Sequence, residues 1–276
     1  MNGASMEDGS ETLLVCNWKA YLGRIESEEL AGKIARVPKD EINYPAIIVL
    51  PSLPFLLDVK NKIGRAKISL GAQNFDIDGI GAHTGSVNIE MIKDIGCEYA
   101  LIGHSELRYR SVEGLNENDD IIGRKLDACL RAGVRPILCI GEKAEERDRG
   151  EKGSVLRREI KSAFGALSED VRGSMGRIII AYEPVWAISA NKPVSPPDKS
   201  EIEETLKVIR ENIEEVIGKN GKNIKLLYGG SVDTASIGKY LEVDMLEGFL
   251  VGRASTDAEK LNAMADIISR RKPKQI

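Results

Sequence analysis

Eight short apolar, β-branched runs recur along the chain, each followed by a longer charged stretch. This alternation limits the possible folds more than any other feature. The runs are residues 13–16, 46–50, 68–71, 99–103, 136–140, 178–182, 224–228 and 248–251. Most are apolar at consecutive positions rather than at every second one, which suits parallel strands buried on both faces. Helical spacing marks 119–132, 153–167, 200–217 and 256–269; the clearest places Ile202, Leu206, Ile209, Ile213 and Ile217 at steps of three and four. Glycines cluster at the joints: Gly71, Gly103, Gly141, Gly229, Gly230 and Gly252. Eight such units in 276 residues, with no linker or composition shift, predict an α/β chain forming a single-domain (β/α)8 barrel. An open doubly wound sheet is the alternative, but no GxGxxG opens any of the helices. The barrel is expected over residues 11–270. A disordered tail, in which Met6 offers a second start, is expected at 1–10, and a basic tail at 271–276.

Composition narrows the classes of function. Hydrophobic residues make up 42 %, enough for a sizeable core. Lys plus Arg number 39 against 43 Asp plus Glu, a net charge of −4, which argues against a nucleic-acid binder. No apolar run is long enough to span a membrane. The polar, acidic start predicts no signal peptide, and Asn2 excludes N-myristoylation. Cys16, Cys97, Cys129 and Cys139 are scattered without CxxC spacing, so reduced thiols and a cytoplasmic location are expected. With only two histidines, His83 and His104, a zinc site built mainly from histidine is not expected, and no other metal or cofactor is implied.

Barrel enzymes carry their chemistry at the C-terminal ends of the strands. That rule selects Asn17, Trp18 and Lys19 after the first run, and Gly103, His104, Ser105 and Glu106 after the fourth. It selects Tyr182, Glu183 and Pro184 after the sixth, Tyr228 to Ser231 after the seventh, and Gly252 with Arg253 after the eighth. Each has a plain structural reading. A lone Lys is a solvated charge, a Glu before Pro is a helix-start carboxylate, a His after Gly caps a turn, and Gly-Gly-Ser is a common turn. Their meeting at one rim, with the right chemical types, carries more weight than any of them singly.

Five strings resemble the triosephosphate isomerase family, in its order and on the expected strands: N-W-K at 17–19, I-G-H-S-E at 102–106, C-I-G-E at 139–142, A-Y-E-P-V-W-A-I at 181–188 and Y-G-G-S-V at 228–232. The resemblance runs from about Leu13 to Ile268 and implies a TIM barrel. The reaction it implies is a 1,2-proton shift between dihydroxyacetone phosphate and D-glyceraldehyde 3-phosphate. In this likeness Glu183 is the base, His104 polarises the carbonyl, and Lys19 is the active-site cation. Asn17 donates a hydrogen bond nearby, and Glu106 pairs with Lys19 or joins the proton network. The matching phosphate-binding positions are Ser189, Ser231, Gly252 and Arg253, acting mostly through backbone N–H groups. Residues 184–192 match a mobile lid, and the loop around Thr84 matches one that reaches a partner subunit in a homodimer.

Other readings remain at this stage: an isomerase of a related sugar phosphate such as a tetrose phosphate, or a non-catalytic phosphosugar-binding homologue. A Schiff-base aldolase needs a lysine within the barrel, often on the sixth strand, whose end holds Glu183 here. The chain also departs from the family pattern. Ser189, Ala190 and Asn191 replace the usual Gly-Thr-Gly lid tip, from which a stiffer lid is expected, and Arg253 stands where a second Gly is common. The stretch between Arg108 and Gly123 is about four residues longer than usual. Ser86 and Leu107 replace a Glu and an Arg that in the family face each other across the dimer, which looks like a paired loss.

Overall fold

The structure, a computed structural model, describes residues 11–37, 43–109, 116–188 and 195–271. Eight parallel strands close into one barrel in chain order, β1 pairing with β8. In sequence the elements are β1 (Leu13–Asn17), α1 (Arg24–Ala35), β2 (Ala46–Leu50), α2 (Leu56–Ile63), β3 (Ile68–Ala72), α3 (Ile89–Ile95), β4 (Tyr99–Ile102), α4 (Ser105–Arg108) and α5 (Asp119–Ala132). There follow β5 (Arg135–Ile140), α6 (Ala144–Asp148), α7 (Lys152–Gly165), β6 (Ile179–Tyr182), α8 (Lys199–Ile217), β7 (Lys225–Tyr228), α9 (Ile237–Tyr240), β8 (Gly248–Val251) and α10 (Ala258–Ser269).

The consecutive apolar residues of each strand divide between two cores. Leu13 and Val15 point inward with Ile48, Leu101, Ile137, Ile179 and Leu250 to fill the barrel. Leu14 and Cys16 point outward into the layer under the helices, beside Ile34, Leu126, Ile209 and Met264. Because side chains alternate faces and both faces are covered, the strands lack any polar alternation. Helix ends follow local chemistry. Asn88, Asn118, Asp198 and Asp257 accept backbone N–H groups of the first turns of α3, α5, α8 and α10.

Several expected boundaries shift by one or two residues. β1 runs to Asn17 and β3 to Ala72, while β4 stops at Ile102, so Gly103 already belongs to the loop. Ile178 and Ile224 lie just before β6 and β7, at the ends of 3-10 turns. α10 begins at Ala258 because Asp257 caps it and Thr256 belongs to a preceding 3-10 turn. The expected tail at 1–10 lies outside the described residues, as do 272–276 of the tail expected at 271–276 and residues 110–115 of the lengthened stretch.

Candidate active site

The C-terminal rim of the barrel opens into a cavity of about 370 Å³, lined among others by Asn17, Lys19, His104, Glu183, Ser231 and Gly252. The residues picked from five separate strand ends thus share one space.

At the end of β1 the backbone takes an uncommon path. Lys19 has φ of 48°, the only positive value at a non-glycine position among the described residues. Its neighbours over-determine that conformation. The Lys19 N–H donates to Asn17 Oδ1 at 3.0 Å. The Lys19 carbonyl accepts from Ser52 Oγ at 2.9 Å and from Gln73 Nε2 at 2.8 Å. Gln73 also donates to the Leu50 carbonyl at 2.9 Å, tying this turn to the end of β2. A strained backbone persists only where several partners hold it, as they do at Lys19. Lys19 Nζ lies 2.6 Å from Glu106 Oε1, so Glu106 is its ion-pair partner, although it does not line the cavity.

His104 caps α4. Its Nδ1 accepts the Glu106 N–H at 3.1 Å, which needs a free lone pair there and so places the ring proton of the neutral imidazole on Nε2. Nε2 is 3.3 Å from Glu183 Oε1, and both side chains are buried. Glu183 Oε2 accepts the Ser105 N–H at 3.3 Å.

Glu183 is seated by glycines on both sides. A Cβ on Gly141 would lie 1.8 Å from the Glu183 carbonyl oxygen, and one on Gly229 would lie 2.8 Å from Glu183 Cγ. Only residues without a side chain let β5, β6 and β7 approach so closely around this carboxylate. The Cys139 thiol lies beside it, pushed well above its ordinary range by burial and then by the Glu183 charge.

The first residues of the expected lid are fastened from below. Trp186 Nε1 donates to Glu142 Oε1 at 2.8 Å, and the Tyr182 hydroxyl donates to the same oxygen at 3.1 Å. Burial raises the Glu142 carboxyl above its ordinary value, while these donors oppose the rise. Ser189, with the lid tip Ala190 and Asn191, lies outside the described residues. Ser231 Oγ donates to the Ala187 carbonyl at 2.8 Å. Arg253 has no positive φ and opens a 3-10 turn. Its guanidinium carbon sits 5.0 Å from the centre of the Tyr21 ring.

Four contributors escaped the reading of the sequence. Ser52 and Gln73 stand just after the second and third strands, so the rim rule would have found them. Arg108 and Glu159 lie behind the cavity, and no local pattern marks them. Among the described residues no group of three or more His, Cys, Asp and Glu side chains is placed to hold a metal ion. No described helix is long and apolar enough to cross a membrane.

The family model described as triosephosphate isomerase matches residues 12–270. The chain is 36 % identical over 247 residues to a triosephosphate isomerase of Lawsonia intracellularis, covering 90 % of this chain and 94 % of that one. It is 36 % identical over 250 residues to one of Aquifex aeolicus, covering 90 % and 95 %. A Roseiflexus castenholzii protein of the same name is 34 % identical over 258 residues, covering 93 % and 97 %.

Proposed function

The chain belongs to the triosephosphate isomerase family. From that premise we infer how its residues interconvert dihydroxyacetone phosphate and D-glyceraldehyde 3-phosphate. Glu183 takes a proton from the carbon beside the carbonyl. The C–H electron pair becomes a carbon–carbon double bond, and the carbonyl pair moves onto oxygen. His104, with its proton on Nε2, donates to that oxygen and recovers a proton from the neighbouring hydroxyl. Glu183 then returns its proton to the adjacent carbon, and no proton is gained or lost overall. Lys19 offsets the phosphate and the growing enediolate charge, with Glu106 holding its side chain and Asn17 its backbone. Phosphate is bound by backbone N–H groups at Ser231, Gly252 and Arg253, and by Ser189 when the lid over residues 184–192 closes. Closure keeps water from the enediolate and so suppresses phosphate loss.

The observation that carries this reading is the buried Glu183 carboxylate 3.3 Å from His104 Nε2, in the cavity that Lys19 also lines. The Schiff-base alternative has no lysine on β6, whose residues are Ile179 to Tyr182. Turnover of glyceraldehyde 3-phosphate in deuterated water tests the mechanism. Deuterium at the transferred carbon is expected, and product without it would exclude exchange at a protein base. A kcat/KM for a tetrose phosphate above that for the triose would favour the related isomerase instead.

A homodimer through the loop around Thr84 completes the proposal. The loop stands clear of the barrel, with Ile80 80 % exposed at its side. Sedimentation should give a dimer at micromolar concentration, and a fully active monomer would refute it. Four buried free thiols fit a reducing cytoplasm. The barrel of residues 11–270 serves as one catalytic domain between the two tails.

A further inference from the structure

Behind the catalytic rim, the strand ends carrying His104 and Glu183 rest on a buried ion pair that the reaction does not touch. Arg108 is 8 % exposed and Glu159, on α7, is 1 % exposed. Arg108 Nε donates to the Gly103 carbonyl at 2.8 Å, one residue before His104. Its Nη2 donates to the Cys139 carbonyl at 3.2 Å, so one guanidinium joins the ends of β4 and β5. Its Nη1 donates to Asp119 Oδ1 at 2.7 Å and lies 3.5 Å from Glu159 Oε1. Glu159 Oε2 accepts the Gly141 N–H at 3.0 Å. Gly141 is the residue packed against the Glu183 carbonyl, and the preceding Ile140 carbonyl accepts the Glu183 N–H at 2.8 Å. One carboxylate therefore touches the backbone beneath the base directly, and the backbone beneath His104 through Arg108.

Building on the isomerase reading, we propose that Glu159 is a positioning residue whose ionised carboxylate holds Gly141 and Arg108, and through them Glu183 and His104, in register for proton transfer. Its Oε1 has no hydrogen bond among the described residues, only the charge contact with Arg108. Protonation removes that attraction and sets an O–H donor against guanidinium donors. A charge buried this deeply costs stability unless it is paired, and Arg108 is its partner.

The charges around Glu159 set where it titrates. Arg108 at the end of α4 and Arg158 on α7 favour the ionised form, while burial and Asp119 on α5 oppose it. Tyr109 also faces it, with its own phenol pushed up to about 12 and so neutral. Burial wins, and the carboxyl is raised to about 7. Its ionised fraction is then about one half at pH 7 and about one tenth at pH 6.

The test is kcat and KM against pH for the full chain, for Glu159→Gln and for Asp119→Asn, with melting curves alongside. In the wild type, kcat should fall about threefold to tenfold from pH 8 to pH 6, the scale typical of changes that act through neighbours, with KM steady within about twofold. Glu159→Gln should stay flat at the lower level over that interval. Asp119→Asn removes a charge that opposes ionisation and should move the midpoint to lower pH. It supplies the answer if the Gln variant does not fold, and a merely structural role would lower the melting temperature without moving this midpoint. Superimposable wild-type and Glu159→Gln profiles, or an unmoved midpoint in Asp119→Asn, would overturn the proposal while leaving the isomerase reading intact. A wild-type chain without isomerase activity would overturn both.

Discussion

Replacing Gly141 by Ala puts the geometry of the base to a direct test. The added Cβ would stand 1.8 Å from the Glu183 carbonyl oxygen and 2.6 Å from its carbonyl carbon. Non-bonded heavy atoms do not approach much closer than about 3 Å, so β5 and β6 must part by about 1 Å. The obstacle is backbone on both sides, and no flexible side-chain end can yield. Overpacking of this kind costs about 1–3 kcal/mol of stability. The larger effect falls on chemistry. A displacement of about 1 Å in a reacting group costs about 10²-fold, and Glu183 directly follows the strand that moves. Gly141→Ala should therefore lower kcat by about 10²-fold in a coupled assay with glyceraldehyde 3-phosphate, more than any loss of fold explains. Gly32→Ala is the matched control. It lies inside α1, its Cβ would meet nothing within 4 Å, and it should gain about 0.5–1 kcal/mol at unchanged activity. A Gly141→Ala enzyme with kcat within about threefold of wild type would refute the argument that this glycine fixes the position of the base.

Glu183→Gln should lower kcat by about 10²–10⁴-fold with little change in substrate affinity, and activity within a few-fold of wild type would remove it from the mechanism. Arg253→Gly should change KM by less than about fivefold, roughly 1 kcal/mol, because the guanidinium lies over the Tyr21 ring and the proposed phosphate site uses only the backbone N–H. A tenfold rise in KM would mean that the side chain grips the phosphate after all. Glu159 predicts an unusual pH dependence of stability. Its folded value of about 7 lies above its ordinary 4.5, so the folded state holds the extra proton between those limits. Its contribution to stability is therefore greatest below pH 4.5 and falls as pH rises toward 7, by about 3 kcal/mol in all. Denaturant titrations at pH 5 and pH 8 should show wild type losing stability relative to Glu159→Gln, and parallel changes in the two would contradict this.

The barrel was legible in the sequence because its cause is local and repeated. A strand buried on both faces must be apolar at consecutive positions, as Ala46 to Leu50 are, and eight such runs separated by helical spacing leave few ways to close a sheet. Element ends were less legible. Whether Gly103 closes β4 or opens a loop depends on pairing with β5, where the register stops at Ile102 opposite Leu138. Asn17, Lys19, His104 and Glu183 could be picked as candidates because a parallel barrel puts every strand end on one rim, and a residue that ends or follows a strand must stand there. Composition alone would have left each of them a solvated charge or a turn residue.

What only the tertiary structure decided is which groups touch. The φ of 48° at Lys19 is held by Ser52 and Gln73, which lie 33 and 54 residues away along the chain. The tautomer of His104 follows from a turn that brings the Glu106 N–H to Nδ1. The ion pair of Glu159 and Arg108 joins residues that share no motif and no local pattern, because a helix laid against the outside of the barrel can meet any strand it crosses. A carboxylate on α7 looks like every other charge on a helix until folding takes away its water. Burial and the facing Arg108 guanidinium then give it a protonation state and a place behind Glu183, and neither property belongs to the chain before it closes.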